Sequence, residues 1–243
     1  MTDMPYRLLG TPRFGGIVVV ADHASNRVPE GIALGVAPQV MDEHVAIDIG
    51  VAGVAERMAA HPGTAAFLGN VSRLVCDYNR DEDAPGVVPV ASDGHAIPGN
   101  ALDHAGRVAR IDRFFRPYHA ALADLLDAAP PALILSLHSF TPRLASDPAQ
   151  ARPWQVGVLY NQDDRAARIA IPLLAAQGLI VGDQEPYSGK LLNATMNRHA
   201  EAEGRPYLGI EIRQDEIASA EGQAIWAERL HDLCNRVALA IGG

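Results

Sequence analysis

Cysteine is scarce in this chain, which has only Cys76 and Cys234 among its 243 residues. Two thiols are too few for a disulfide framework, and they lack the paired spacing of a zinc site built from thiolates. We interpret both as buried core thiols. A metal site in this protein would therefore have to use imidazole or carboxylate ligands.

Clustered positive charge and long apolar runs are also missing. The net charge is -9 and no block of Lys or Arg occurs, which argues against a nucleic-acid partner because binding to phosphates relies on clustered cations. No stretch of about 18 uncharged apolar residues is present, and residues 1–7 lack the basic end and apolar block of a signal peptide. We expect no membrane partner and a cytoplasmic location.

A glycine-rich phosphate loop and a serine-hydrolase elbow are absent as well. Gly15 and Gly16 precede an apolar run, whereas the glycines of a phosphate loop follow a strand. We therefore expect no nucleotide cofactor.

The hydrophobic pattern predicts alternating strands and helices. A chain of this length with 48% hydrophobic residues can bury one sizeable core, so residues 1–243 are expected to form a single catalytic domain. Apolar runs predict strands at 17–21, 64–68, 74–76, 132–137, 156–160, 179–181 and 207–212. Amphipathic segments predict helices near 40–60, 105–128, 164–177, 191–203 and 220–241. This alternation predicts an α/β fold with a mixed, mostly parallel sheet flanked by helices.

A segment between residues 77 and 106 is rich in Asp, Pro and Gly and has little periodicity. It is too long for an ordinary connection between two elements. Two interpretations remain open, a loop that covers a substrate and a mobile surface excursion without a role.

Two histidines stand at the ends of predicted strands. His23 follows the apolar run 17–21, and His138 follows the run 132–137. Open α/β sheets place their chemistry just beyond the carboxyl ends of their strands. Imidazole is a common zinc ligand, and catalytic zinc takes three protein ligands with water in the fourth position. The pattern predicts one metal site, against the simpler interpretation of two structural histidines.

The third ligand has several candidates. Asp48 lies on the segment after the first predicted strand, and Asn26 lies three residues beyond His23. A carboxylate binds zinc far better than an amide, so the chemistry favours Asp48. The same segment offers further candidates in Asp42, Glu43 and His44.

Glu211 interrupts the apolar run that forms the last predicted strand. Burying an ionised carboxylate costs free energy unless it has a charged or hydrogen-bonding partner, so a buried carboxylate often has a chemical role. Close to a metal-activated water, Glu211 could take a proton and pass it to a leaving nitrogen. The structural alternative is an ion pair between Glu211 and Arg213 on an edge strand.

The segment 72–80 combines two arginines with an Asn and an Asp. Arginine holds a carboxylate through two hydrogen bonds, so Arg80 with Asn79 makes a plausible clamp for an acidic substrate. Arg73 could instead face a developing oxyanion. A loop of surface salt bridges explains the same cluster about as well.

Five segments, taken in order along nearly the whole chain, resemble the N-formylglutamate amidohydrolase family. They are Asp-His-Ala-Ser-Asn-Arg-Val-Pro at 22–29, Asp-Ile-Gly at 48–50, the segment 72–80, Leu-His-Ser-Phe at 137–140 and Gly-Ile-Glu-Ile-Arg at 209–213. That family is related to the zinc carboxypeptidases and aspartoacylases. The resemblance implies a phosphorylase/hydrolase-like α/β fold with zinc at the strand ends.

The resemblance also implies roles for individual residues. His23 and His138 correspond to the two zinc imidazoles, and Glu211 corresponds to the carboxylate that activates the water. Arg73 stands where an arginine that stabilises the oxyanion is expected. Asn79 and Arg80 match the residues that hold a substrate carboxylate, with Arg213 or Arg143 assisting.

One departure from the related carboxypeptidases concerns the third ligand. Those proteins have a Glu three residues after the first zinc histidine, where this chain has Asn26. Asp48 is then the expected third ligand, with zinc as the expected metal; iron or manganese could occupy a similar set.

The resemblance implies zinc-dependent hydrolysis of N-formylglutamate, an acidic N-acyl amino acid, to formate and glutamate. Another N-acyl amino acid or a small peptide is the alternative substrate. Two non-enzymatic alternatives also remain, a metal-dependent binding module without turnover and a structural α/β scaffold. The sequence does not predict an oligomeric state.

Overall fold

The computed structural model describes residues 4–243. Its strands are β1 (Tyr6–Gly10), β2 (Ile17–Ala21), β3 (Thr64–Gly69), β4 (Ala91–Ser92), β5 (His95–Ala96), β6 (Leu133–Phe140), β7 (Val156–Leu159), β8 (Val181–Asp183) and β9 (Tyr207–Arg213). Its α-helices are α1 (Val51–Met58), α2 (His104–Arg110), α3 (Arg116–Ala128), α4 (Arg165–Ala175), α5 (Ala194–His199) and α6 (Ala220–Gly242). A π-helical turn at Ile111–Phe115 joins α2 to α3.

Seven strands form one mixed sheet in the order β1-β3-β2-β6-β9-β7-β8. The four pairs β2–β3, β2–β6, β6–β9 and β7–β8 are parallel, whereas β1 runs antiparallel to β3 and β7 antiparallel to β9. The predicted α/β class with a mixed, mostly parallel sheet flanked by helices is therefore confirmed.

Both faces of the sheet are buried, which explains why the central strands are continuous apolar runs. Val19 and Leu135 pack into a cluster that includes buried residues of α1, α4 and α6. Val18 and Ile134, the neighbouring positions on the same strands, pack into a second cluster on the other face with side chains from α3. Alternate residues of each central strand therefore stabilise two helical layers.

Several elements differ from the sequence-based expectation, and β8 begins at Val181, where the predicted strand 179–181 ends. The predicted helix at 40–60 begins only at Val51, because Gly50 has a φ of +83° that ends the preceding turn. Residues 74–76, predicted as a strand, form buried turns instead. The edge strand β1 was not predicted, since its alternating half-exposed residues give a weak apolar signal.

The segment 77–106 is packed against the rest of the protein. It contains a short hairpin of β4 and β5 and two 3-10 turns. Val87 and Ile97 are buried, and the side-chain amide of buried Asn100 donates hydrogen bonds to the carbonyl oxygens of Leu74 (2.7 Å) and Pro89 (2.8 Å). These buried residues and hydrogen bonds attach the segment to the body of the protein.

Within residues 4–243, the structure contains no helix with the length and apolar character needed to cross a membrane.

The sheet brings the chemically active residues of three neighbouring strands to one edge. His23 follows the carboxyl end of β2, while His138 and Glu211 lie near the ends of β6 and β9. In the register of β6 and β9, His138 is paired directly with Glu211. Because these strands are parallel and adjacent, their carboxyl ends form one site.

Candidate metal centre and active site

Three buried side chains meet at the carboxyl edge of the sheet. One carboxylate oxygen of Asp48, Oδ2, lies 3.3 Å from Nδ1 of His23 and 2.9 Å from Nδ1 of His138. Candidate ligand atoms of the three residues all lie within 4.8 Å of one another. Donor atoms on a tetrahedral zinc ion with bonds of about 2.1 Å are about 3.4 Å apart, so this spacing suits a small divalent metal.

Each of the two histidines faces a second carboxylate with its other ring nitrogen. His23 donates from Nε2 to Oδ1 of Asp77 at 2.8 Å. Nε2 of His138 lies 3.6 Å from Oδ2 of Asp22, and both atoms are buried without a hydrogen-bond partner. A histidine that binds a metal usually donates its other N–H to a carboxylate, so these surroundings fit a metal on the two Nδ1 atoms.

Neighbouring charges shift the pKa values of Asp48 and His138 in opposite directions. Burial alone would favour the neutral form of Asp48, but neighbouring His23 and the hydrogen bond from His138 outweigh burial and hold the pKa of Asp48 below its usual range. Burial also opposes protonation of His138, yet the hydrogen bond to Asp48 and the charge of that carboxylate raise the pKa of His138 to about 9. The carboxylate of Asp48 is therefore ionised, as a metal ligand must be, whereas His138 has to give up the proton on Nδ1 before that atom can bind a metal.

Glu211 lies beside the cluster as a buried carboxyl group, 9% exposed. Its Oε2 atom has no hydrogen-bond partner, and its side chain lines the same pocket as His23, Asp48 and His138. Burial raises the pKa of Glu211 to about 7, against the opposing effect of His138. Glu211 can therefore accept and release a proton near neutral pH.

Arg73 bridges the carboxylates around the cluster. One guanidinium nitrogen donates to Oδ1 of Asp48 at 3.2 Å, and the other donates to Oδ2 of Asp77 at 3.0 Å. Burial opposes the charge of Arg73, but Asp77 and Asp48 outweigh burial and raise its pKa, so the side chain stays charged. Its guanidinium is thus held in a fixed position where it also lines the pocket.

Asn79 and Arg80 lie at the same pocket, where the segment 77–106 begins. The backbone N–H of Asn79 donates to Oδ1 of Asp77 at 3.0 Å, and its side-chain oxygen accepts from the N–H of Thr195 at 3.1 Å. The Arg80 side chain is 30% exposed, with Nε 3.7 Å from Oδ2 of Asp77. Its Nη1 donates to the carbonyl oxygen of Asn79 at 3.4 Å, and the side chain lines the pocket.

Arg213, expected to help bind substrate, lies elsewhere. Its guanidinium pairs with Asp215 at 2.7 Å and Glu216 at 3.5 Å, and it donates to the carbonyl oxygen of Pro153 at 3.2 Å. It does not line the pocket with Glu211. The chain turns directly after β9 into a 3-10 helix at Gln214–Glu216, and this turn supplies the carboxylates that hold Arg213.

The other candidates for the third metal ligand have different partners. Asn26 donates from its side-chain amide to the carbonyl oxygen of Met41 at 2.9 Å and to Asp42 at 3.2 Å. Glu43 accepts from His95 at 3.1 Å. The structure thus brings Asp48, and not these residues, to the two histidines.

His44 lies in the pocket wall rather than in the metal cluster. Its Nε2 is 2.9 Å from Oδ2 of Asp93, whose carboxylate also accepts from the backbone N–H groups of Ala145 (3.0 Å) and Ser146 (2.9 Å). The hairpin at 91–96 is thereby tied to the segment around 145. Within the segment 77–106, Asn79 and Arg80 line the pocket directly, and Asp93 contacts the pocket residue His44.

The pocket encloses about 140 Å³. Its remaining walls are formed by five residues that the sequence analysis did not single out as site residues: Ser139, Phe140, Thr141, Tyr187 and Leu192. Ser139 and Phe140 complete β6 after His138 and Thr141 follows directly, so the position of all three follows from that of the histidine. Tyr187 and Leu192 come from the connection between β8 and α5, and only the tertiary fold brings them here.

A mostly parallel α/β sheet with a buried His–Asp–His cluster and a free carboxyl group at its strand ends has the arrangement of a metal-dependent hydrolase. The chain belongs to the N-formylglutamate amidohydrolase family, whose model matches residues 15–218. The comparison with curated proteins gave no match.

Two solved structures resemble the protein over almost its whole length. A gene product from Agrobacterium tumefaciens is 29% identical, with a TM-score of 0.91 over 99% of this chain and 97% of the other. The N-formylglutamate amidohydrolase from Ralstonia eutropha is 23% identical, with a TM-score of 0.70 over 97% of each chain. The second likeness shows a shared fold.

Proposed function

We propose that this protein is a metal-dependent amidohydrolase that removes the N-acyl group of an acidic amino acid, with N-formylglutamate as the leading substrate. The observation that carries the proposal is the position of Glu211, a buried carboxyl group with a pKa of about 7 beside three clustered metal donors. Membership of the N-formylglutamate amidohydrolase family supports the same reaction class.

His23, Asp48 and His138 would hold the metal, and zinc matches two imidazoles and one carboxylate with an open fourth position. A bound zinc ion lowers the pKa of a water molecule and polarises a carbonyl oxygen. Iron or manganese could use a similar donor set.

Glu211 acts as the proton carrier of the reaction. Its carboxylate takes a proton from the attacking water, and the resulting acid delivers that proton to the nitrogen of the breaking amide bond. Burial raises the pKa of Glu211, which makes its carboxylate a stronger base than an exposed glutamate for the first step, and the resulting acid can release the proton in the second. Its lack of a competing hydrogen bond at Oε2 leaves that oxygen available.

Arg73 stabilises the negative charge that develops on the acyl oxygen. Its attachment to Asp48 and Asp77 fixes the guanidinium before substrate arrives, so little reorganisation is needed during the reaction. Asn79 and Arg80 would bind the α-carboxylate of the substrate at the accessible side of the pocket. The small pocket favours a compact acyl group such as formyl.

The test is amine release from a panel of N-formyl, N-acetyl and longer N-acyl amino acids, with metal-loaded and chelated protein. We expect metal-dependent hydrolysis of N-formylglutamate and weaker hydrolysis of longer acyl groups. Preference for another acyl group would retain the mechanism and change the substrate. Metal binding without turnover on any substrate would overturn the proposal in favour of a binding module.

A Glu211→Gln variant tests the role of Glu211 separately from metal binding. Loss of the proton carrier should lower kcat by about 100- to 10,000-fold, whereas the bound metal content should stay the same. Equal loss of metal would indicate a structural role for Glu211 instead.

A further inference from the structure

Arg152 is a buried cation without a carboxylate partner. Arg152 is only 6% exposed. Among residues 4–243, no carboxylate forms an ion pair with it. Nη1 donates instead to the carbonyl oxygen of Thr141 at 3.2 Å and to the hydroxyl oxygen of Tyr187 at 3.0 Å, and Nη2 donates to the side-chain oxygen of Gln150 at 3.4 Å. All three acceptors are uncharged, and Nε has no partner. Burial of an unpaired charge is costly, so an anion is expected to complete this site.

The two groups that Arg152 contacts through Nη1 both belong to walls of the pocket. Thr141 and Tyr187 line the same cavity as His138 and Glu211. The Arg152 guanidinium also lies 5.0 Å from the centroid of the Tyr187 ring. Arg152 is therefore one side chain behind the pocket surface, close enough to influence an anion bound there.

The hydroxyl group of Tyr187 connects Arg152 to the pocket. Its oxygen accepts a hydrogen bond from Arg152, so its own proton remains available for another acceptor. In the described part of the chain this proton has no acceptor. Burial, with a contribution from Glu211, raises the pKa of Tyr187, and the group therefore remains a donor.

We propose that Tyr187 and Arg152 form the subsite that selects a negatively charged substrate side chain. Tyr187 donates a hydrogen bond to the side-chain carboxylate, and Arg152 supplies the compensating charge from behind. This assignment rests on the proposed amidohydrolase function and gives the second carboxylate of an acidic amino acid the cationic partner that Arg213 does not provide. A neutral amide in the same place has no charge for Arg152 to stabilise, so the subsite should favour the carboxylate.

The experiment compares kcat/KM for N-formylglutamate and its neutral counterpart N-formylglutamine. The wild-type protein should prefer the acidic substrate. Arg152→Met should lower kcat/KM for N-formylglutamate by about 10- to 100-fold, the effect of losing a charge-assisted interaction. The value for N-formylglutamine should change by less than about threefold, so the preference collapses.

Two further variants separate charge from packing. Arg152→Lys keeps the charge and should retain part of the preference, while Tyr187→Phe removes only the donor and should weaken it. Arg236→Met, at an exposed position on α6, is the matched control and should leave both values unchanged. A loss of equal size for both substrates in the Arg152 and Tyr187 variants would overturn the assignment, because it indicates only a packing role.

The outcomes distinguish the subsite from the proposed function. If the wild type turns over substrate and Arg152→Met keeps the same preference for the acidic substrate, the subsite proposal is wrong but the amidohydrolase proposal stands. If the wild type hydrolyses no substrate, the amidohydrolase proposal fails, and calorimetry with glutarate and its monoamide then tests the subsite directly. We expect glutarate to bind at least tenfold more weakly to Arg152→Met; equal binding would exclude the subsite.

Discussion

At the scale of single residues, the two histidines of the cluster differ in how their outer nitrogens are held. His23 has a formed hydrogen bond to Asp77, whereas His138 and Asp22 face each other at 3.6 Å with unpartnered atoms. The other oxygen of Asp22 accepts from the hydroxyl of Tyr118 at 2.7 Å. Asp22 is therefore fixed in place as an acceptor for the Nε2–H that His138 must carry when Nδ1 binds a metal.

This geometry predicts the effect of an Asp22→Asn variant. We expect zinc affinity to fall by about 10- to 100-fold, because an outer carboxylate orients a metal-binding histidine and increases its basicity. Competition with a chromophoric chelator measures the affinity. Asp127→Asn, on the exposed surface of α3, is the control and should not change it. Unchanged affinity in a correctly folded Asp22→Asn protein would show that Asp22 does not serve the metal site.

Residues next to strand ends were predictable, and residues that reach the site through tertiary contacts were not. The apolar runs before His23 and His138 place both at one sheet edge, and the structure brings Asp48 to them. Tyr187 and Arg152 belong to connections without periodicity, and nothing local indicates that they reach the same pocket. Arg213 stands at a strand end and was expected at the site, but the acidic residues that follow it hold it away from the pocket.

At the scale of elements, the start of α1 determines where Asp48 lies. Gly50 has a φ of +83°, and a Cβ atom there would lie 2.2 Å from the backbone oxygen of Ile217. Because the helix begins after this glycine, residues 43–50 remain turns, and the backbone N–H of Asp48 donates to the oxygen of His23 at 3.0 Å. The amphipathic pattern at 40–60 predicted one long helix, since periodicity does not reveal a glycine required by a neighbouring loop.

We therefore expect Gly50→Ala to affect both stability and metal binding. The positive φ alone costs about 1 kcal/mol for a residue with a Cβ, and the clash with Ile217 adds to it. Gly63→Ala is a close control, because Gly63 has a φ of +84° with no atom near its Cβ position. Urea unfolding and chelator competition should show a larger loss for Gly50→Ala in both measurements. Equal losses of stability would contradict the role of the contact with Ile217.

At the scale of the whole molecule, the face of the sheet covered by α3 contains a buried histidine pair apart from the metal cluster. Nδ1 of His119 lies 2.9 Å from Nε2 of His199, and Nε2 of His119 donates to the carbonyl oxygen of Tyr78 at 3.1 Å. Burial lowers the pKa of His119 to about 2 and that of His199 to about 4. Both are therefore neutral in the folded protein at pH 5, whereas both are protonated in the unfolded chain, where the pKa is about 6.5.

The sign of the resulting pH dependence follows from proton uptake on unfolding. Below pH 6.5 the unfolded chain binds protons on His119 and His199 that the folded protein does not, so these two groups reduce stability as the pH falls. Glu211 acts in the opposite direction between pH 4.5 and 7, because the folded protein holds its proton more tightly. Two protons taken up and one released leave a net uptake of about one.

The free energy of unfolding of the metal-free protein should therefore fall by about 1.4 kcal/mol per pH unit between pH 6 and 5. Replacing His119 by Gln removes one of the two protons taken up, so the slope in this range should become nearly flat. Urea midpoints across this pH range, with His104→Gln at the exposed start of α2 as the control, measure the difference. A His119→Gln slope equal to that of the wild type would mean that His119 is already protonated in the folded core.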